Sequence, residues 1–97
     1  MNKLHDEHMD RLFKAILTLE NLDDCYAFFD DLCTITELKA MQQRFEVAEM
    51  LSDKRVYNDI AKATGASTAT ISRVNRCLNY GSDGYRRVIE RLGKENE

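Results

Sequence analysis

Proline is absent from these 97 residues, and glycine occurs four times. Each glycine falls at or near a point where a periodic apolar pattern stops, so nothing in the composition breaks a helix from within. No stretch of 18 consecutive apolar residues exists, which excludes a helix spanning a bilayer. The opening, MNKLHDEHMD, is acidic and polar and unlike a secretory signal. Cysteine is sparse: Cys25, Cys33 and Cys77 are odd in number, widely spaced and contain no C-x-x-C pair. That excludes a disulfide framework and suits reduced thiols in a cytoplasm, acting as small buried hydrophobes. The two histidines form His5-x-x-His8 near the amino terminus, a helical spacing that could chelate a metal. Further ligands are lacking beside them, so they read as solvated side chains. No nucleophile, base and orienting group can be assembled, and no glycine-rich phosphate loop exists. The expectation is a cytoplasmic protein that is neither an enzyme nor a holder of cofactor or metal.

Net charge is −3, a poor start for a nucleic-acid binder. Its distribution says more. Residues 1–53 carry 5 Lys or Arg against 12 Asp or Glu, and residues 54–97 carry 9 against 5. The first half is therefore −7 and the second +4. A basic face on an otherwise acidic chain can meet phosphates while the acidic half limits non-specific adhesion.

Apolar periodicity points to an all-α chain of six helices. Met9, Leu12, Phe13, Ile16 and Leu17 recur at helical spacing, predicting an amphipathic helix over about residues 4–20. Asp23 or Asp24 can cap a second helix that carries Cys25, Phe28, Phe29 and Leu32 on one face. Thr34-x-x-Glu37 is a capping box opening a third, on which Leu38, Met41, Phe45 and Ala48 recur. A sixth starts at Ser82 or Asp83, with Tyr85, Val88, Ile89 and Leu92 on its apolar face, and residues 93–97 should fray.

Between them lies the most informative segment, VYNDIAKATGASTATISRVNRCL, Val56 to Leu78. Val56, Ile60 and Ala61 give one short helix an apolar side, and Gly65 follows where the backbone must turn left-handed. Ala61 leaves room for two helices to cross. Ser67 can cap the next helix, on which Ile71, Val74 and Leu78 form one stripe. This is the spacing of a helix-turn-helix, placed at residues 54–80, whose second helix enters the major groove of DNA. With ~100° per residue and Ile71 inward, Val74, Asn75, Leu78 and Ser67 fall on the buried side. Ala69, Arg73 and Arg76 fall opposite, flanked by Ser72. The leading turn, Ser67, Thr68, Ala69 and Thr70, meets base edges first, through small side chains, hydroxyls and methyls. Lys62 and Arg76 suit phosphate, and Asn58 suits phosphate or base.

From Cys33 to Leu92 the chain resembles the Trp repressor superfamily, and within it the YerC/YecD branch. The likeness is carried by LKAMQQRFEVAE (Leu38 to Glu49), by GASTATISRVNRCLNYG, and by the spacer to Tyr85. The first 32 residues match in helical character alone. The resemblance implies a single domain folded as a six-helix, intertwined homodimer, with residues 1–53 mainly in dimerisation and 83–93 as the last helix. It presents Thr68, Ala69 and Thr70 to the major groove, and implies a repressor of amino-acid-related metabolism.

In tryptophan-responsive members two arginines sandwich the indole. Arg44 and Arg73 match those positions, and Thr34 matches a threonine beside the pocket. This chain departs from the pattern at three places. Val74 replaces a glycine, Cys77 a serine that holds the ligand's amino group, and Ile35 a proline after the threonine. Valine intrudes where an indole needs room, and a thiol is a weak hydrogen-bonding partner. Tryptophan is therefore not the expected ligand. A smaller or more polar effector, such as another amino acid, would use Thr34, Arg44, Arg73, Val74 and Cys77. The alternative is a constitutive binder in which Arg44 pairs with Glu37 or Glu46 and Arg73 meets phosphate. The expected partners are a second copy and double-stranded DNA bearing a palindromic operator. The rival class is a protein-interaction module docking through the acidic half.

Overall fold

The computed structural model describes residues 5–95, and every regular element among them is a helix. Six follow in order: α1 (Glu7–Ile16), α2 (Leu22–Leu32), α3 (Ile35–Ser52), α4 (Tyr57–Thr64), α5 (Thr68–Tyr80) and α6 (Gly84–Glu95). They divide into two compact units, the first ending at Ile35 and the second beginning at Thr36.

In the first unit, α1 is shorter than its apolar pattern. Asp6 caps it, accepting the Met9 amide at 2.7 Å. The helix ends at Ile16 because Thr18 diverts a carbonyl: its hydroxyl donates to Ala15 O at 2.7 Å, alongside its own amide at 3.1 Å. Local side-chain bonding of this kind competes with the helical ladder. Leu17 is therefore a cap and not a stripe residue, and the expected start at Leu4 lies outside the described residues. The cap of α2 is Asn21, earlier than either aspartate expected there. Asn21 is extended and its Oδ1 accepts the Asp24 amide at 2.8 Å. Asp24 reaches back to accept the Glu20 amide at 3.0 Å, tying the residue before the cap to the first turn. On α2, Phe28 and Phe29 meet edge to face, with centroids 5.4 Å apart.

The second unit holds the buried core. Val47 and Ala48 come from α3, Ile60 from α4, Ala66 from the turn, and Ile71, Val74 and Leu78 from α5. Tyr57, Ala61, Tyr85 and Ile89 pack against this cluster, so α6 closes one side of it. Fully burying an aliphatic side chain of this size contributes about 1.5–3 kcal/mol, and α5 has three of the seven. The stripe expected on α3 is displaced: Ala48 is buried, but Leu38, Met41 and Phe45 are not, and Val47 takes their role.

Helix α3 ends in a Schellman motif without glycine. Arg55 donates to Met50 O and Lys54 to Leu51 O, both at 3.0 Å, with Lys54 left-handed at φ 62°. Val56 then caps α4 with no side-chain bond and is 62% exposed, so it is not part of the buried run assigned to it. Tyr57 packs on the core instead. After α5, Gly81 is obligatory for a steric reason, because a Cβ built there runs into the Cys77 carbonyl. Asp83, left-handed at φ 69°, leads into α6, which stays helical through residues 93–95 where fraying was expected. Residues 96 and 97 lie outside the described residues. All three thiols are free. Cys25 and Cys33 are half-buried and Cys77 is exposed, so none is the buried hydrophobe their composition suggested.

Candidate nucleic-acid interface

The candidate surface is built from the turn outward. Gly65 terminates α4 at φ 75°, ψ 5°, and its amide donates to Ala61 O at 2.9 Å. Only glycine takes this left-handed conformation without a steric cost. Thr64 braces the same turn from inside: its hydroxyl donates to Ile60 O at 2.8 Å and accepts the Ala66 amide at 3.1 Å. Gln43 on α3 donates to Thr64 O at 3.1 Å. Neither Gln43 nor Thr64 was singled out from sequence, because a side-chain bond to a backbone carbonyl leaves no mark in composition.

Ser67 then caps α5, accepting the Thr70 amide at 3.1 Å, while its hydroxyl stands 3.1 Å from Thr70 Oγ1. The helical-wheel assignment of Ser67 to the buried side is corrected, since Ser67 is exposed. It precedes the helix with an extended backbone, so a rotation of 100° per residue does not apply to it. Along α5, Ile71, Val74 and Leu78 point into the core and Asn75 is half-buried. Thr68, Ala69, Ser72, Arg73 and Arg76 are exposed, and Thr70 is half-buried at the edge of that face. Asn58 and Lys62 on α4 are exposed as well.

The cations of this face are uncommitted. Among the described residues, no carboxylate stands within ion-pairing distance of Lys62, Arg73, Arg76 or Arg44. The suggested pairing of Arg44 with Glu37 or Glu46 is therefore not made. Of the four basic residues of α6, Arg86, Arg87, Arg91 and Lys94, three are occupied: Arg87 pairs with Asp83 at 3.7 Å and Lys94 with Glu90 at 3.3 Å. Arg86 donates to Leu78 O at 2.9 Å and to Asn79 Oδ1 at 3.2 Å. The second half thus carries cations without an ion pair on α4 and α5 and three engaged ones on α6.

Of the residues expected at an effector pocket, Thr34 is exposed and Val74 is 1% exposed, part of the core of the second unit. Its side chain fills protein, not open space. Arg44 and Arg73 are exposed. Cys77 lines an open, apolar groove of about 530 Å³ together with Phe45, Gly81, Ser82, Gly84, Tyr85 and Val88. Neither arginine forms a wall of it.

The helix-turn-helix, its glycine turn and its capped second helix coincide with a family pattern running the length of the fold. The model of the Trp repressor protein family matches residues 7–93. The chain belongs to the Trp repressor family. Among relatives of this Trp repressor family member, the uncharacterized protein YerC of Bacillus subtilis (strain 168) is 54% identical over all 97 residues, covering 92% of its own length. The crystal structure of a TrpR-like protein from Eubacterium eligens ATCC 27750 superposes with a TM-score of 0.91 at 62% identity, covering 96% of each chain. A Staphylococcus aureus protein described as a candidate Trp repressor gives 0.90 at 49% identity, over 94% of this chain and 91% of that one.

Proposed function

We propose that this Trp repressor family member is a cytoplasmic, sequence-specific DNA-binding regulator, a repressor acting as a homodimer on a palindromic operator. One observation carries the reading. A capped helix behind a left-handed glycine turn exposes Thr68, Ala69, Arg73 and Arg76 together, with both cations unpaired. Small and hydroxylated side chains at the leading turn permit close approach to base edges. Arg76, Arg73 and Lys62 supply the phosphate attraction that dominates affinity, with Asn58, Ser67, Thr70 and Ser72 bordering the contact.

Dimerisation is supported by apolar surface that the single chain leaves exposed. Leu17 is 82% and Leu22 75% exposed in the first unit. A two-fold dimer presents its paired recognition helices to half-sites one helical turn apart, ~34 Å. The target genes belong to amino-acid-related metabolism, and any effector is a small amino-acid-like molecule other than tryptophan. The buried Val74 argues against an indole beside Arg73. In a constitutive mode without effector the exposed Arg73, which has no carboxylate partner, meets phosphate directly.

Selection of bound duplexes from a random library, with the twenty amino acids present, tests this reading. A recovered palindrome with helical-turn spacing supports a dimeric regulator. Withdrawing amino acids one at a time then identifies an effector, and unchanged binding throughout establishes the constitutive mode. Folded protein that recovers no preferred sequence overturns the assignment in favour of a protein-interaction module.

A further inference from the structure

Two side-chain hydrogen bonds brace the helix-turn-helix from neighbouring helices, one at the end of α4 that leads into the turn and one at the end of α5. At the leading end, the half-buried Gln43 of α3 donates to Thr64 O at 3.1 Å, across 21 residues of sequence. The two amides that follow this carbonyl are committed elsewhere, Gly65 to Ala61 O and Ala66 to the Thr64 hydroxyl. Gln43 thus supplies a donor from the scaffold that the turn's next two amides do not.

At the trailing end, Arg86 of α6 donates through Nε to Leu78 O at 2.9 Å and through Nη2 to Asn79 Oδ1 at 3.2 Å. Asn79 in turn donates to Asn75 O at 2.9 Å and to Asn75 Oδ1 at 3.1 Å. The guanidinium stands where unsatisfied carbonyls concentrate the negative end of the helix dipole, which strengthens its hold. Arg86 is one of the nine cations of residues 54–97, yet its fork is directed at protein.

We propose that Gln43 and Arg86 are positioning residues for base reading, a polar clamp that holds the α4–α5 turn against α3 and the end of α5 against α6. The inference rests on the DNA-binding reading. Base-edge contacts tolerate displacements of about 0.5 Å, whereas long cationic side chains follow a phosphate that has moved further. Loosening the clamp therefore weakens sequence-specific binding more than non-specific binding.

The test uses full-length Gln43→Met, Arg86→Met and Arg86→Lys, the first keeping the volume without the donor, the last keeping charge without the planar fork. Affinity is measured over a salt series for the duplex recovered by selection and for an unrelated duplex of equal length. Amide hydrogen exchange is followed at residues 64–67 and 78–81. Each methionine variant should bind the selected duplex about tenfold more weakly, the size of one well-made hydrogen bond. The unrelated duplex should change less than twofold, and salt slopes should stay parallel to the unmodified protein. Arg86→Lys should not restore affinity. Exchange should quicken at residues 64–67 in Gln43→Met and at residues 78–81 in Arg86→Met.

Equal losses on both duplexes, with a salt slope lowered by about one, would make Arg86 a phosphate contact and overturn the clamp. Lower melting with unchanged affinity in the folded state would make both residues merely structural, also overturning it. If Arg86→Met does not fold, Arg86→Lys carries the same decision at α6, and if Gln43→Met does not fold, Gln43→Glu, which keeps the size and removes the donor, carries it at α3. Unmodified protein without sequence preference defeats the DNA reading instead. In that case exchange rates still separate a clamp that holds α5 from one that does not.

Discussion

Replacement of Gly65 by asparagine, alanine and valine should give a graded loss of stability whose size follows from one dihedral angle. Gly65 sits at φ 75°, and a Cβ built there meets nothing within 4 Å. The cost is therefore local to the backbone, with no clash against the rest of the fold. An L side chain in the left-handed region costs about 1–2 kcal/mol. Against this, removing glycine from the unfolded chain returns about 0.4–1 kcal/mol. Alanine should thus destabilise by about 1 kcal/mol, which lowers the melting temperature of a domain of this size by about 4–8 °C. Asparagine tolerates the left-handed region and should lose less, while β-branched valine should lose most. Thermal unfolding followed by helical circular dichroism, at one protein concentration, reads the series. A valine variant as stable as the alanine one, or an alanine variant as stable as glycine, would refute the reasoning.

Val56→Ser supplies the side-chain cap that α4 lacks and should raise stability by about 0.5–1 kcal/mol, seen as a higher denaturant midpoint at unchanged slope. No gain would mean that the first turn of α4 is already satisfied in solution. Ile71→Ala empties a fully buried site and should cost about 2–5 kcal/mol, and a loss below about 1 kcal/mol would remove Ile71 from the core. Arg76→Ala should weaken all duplexes alike and lower the salt slope by about one, whereas a loss confined to one sequence would make Arg76 a base reader.

The parts of the fold readable in the sequence are those decided by adjacent residues. Gly65 and Ser67 announce a turn and a cap because each acts on backbone groups within four positions of itself. Ile71, Val74 and Leu78 announce a buried side because a single helix carries them all. Where several residues could do the same work, the sequence is ambiguous. Asn21, Asp23 and Asp24 are all competent caps, and Asn21 prevails because Asp24 can then return a bond to the Glu20 amide. On α3 the spacing of Leu38, Met41 and Phe45 pointed to a stripe that the core of the second unit meets only at Ala48, with Val47 beside it. Side-chain bonds to distant carbonyls, from Gln43 and Arg86, have no periodic signature at all. The burial of Val74 is legible because it shares the apolar stripe of α5 with Ile71 and Leu78.

Exposed, unpaired cations beside Thr68 and Ala69 are proposed to bind duplex DNA. A titration of the intact protein into a fluorescent duplex pool, repeated from about 50 to 200 mM salt, tests this most directly. The expected result is binding whose affinity falls steeply and linearly on a log–log plot, with a slope reporting several released counterions. Absent binding, or an affinity indifferent to salt, would contradict it.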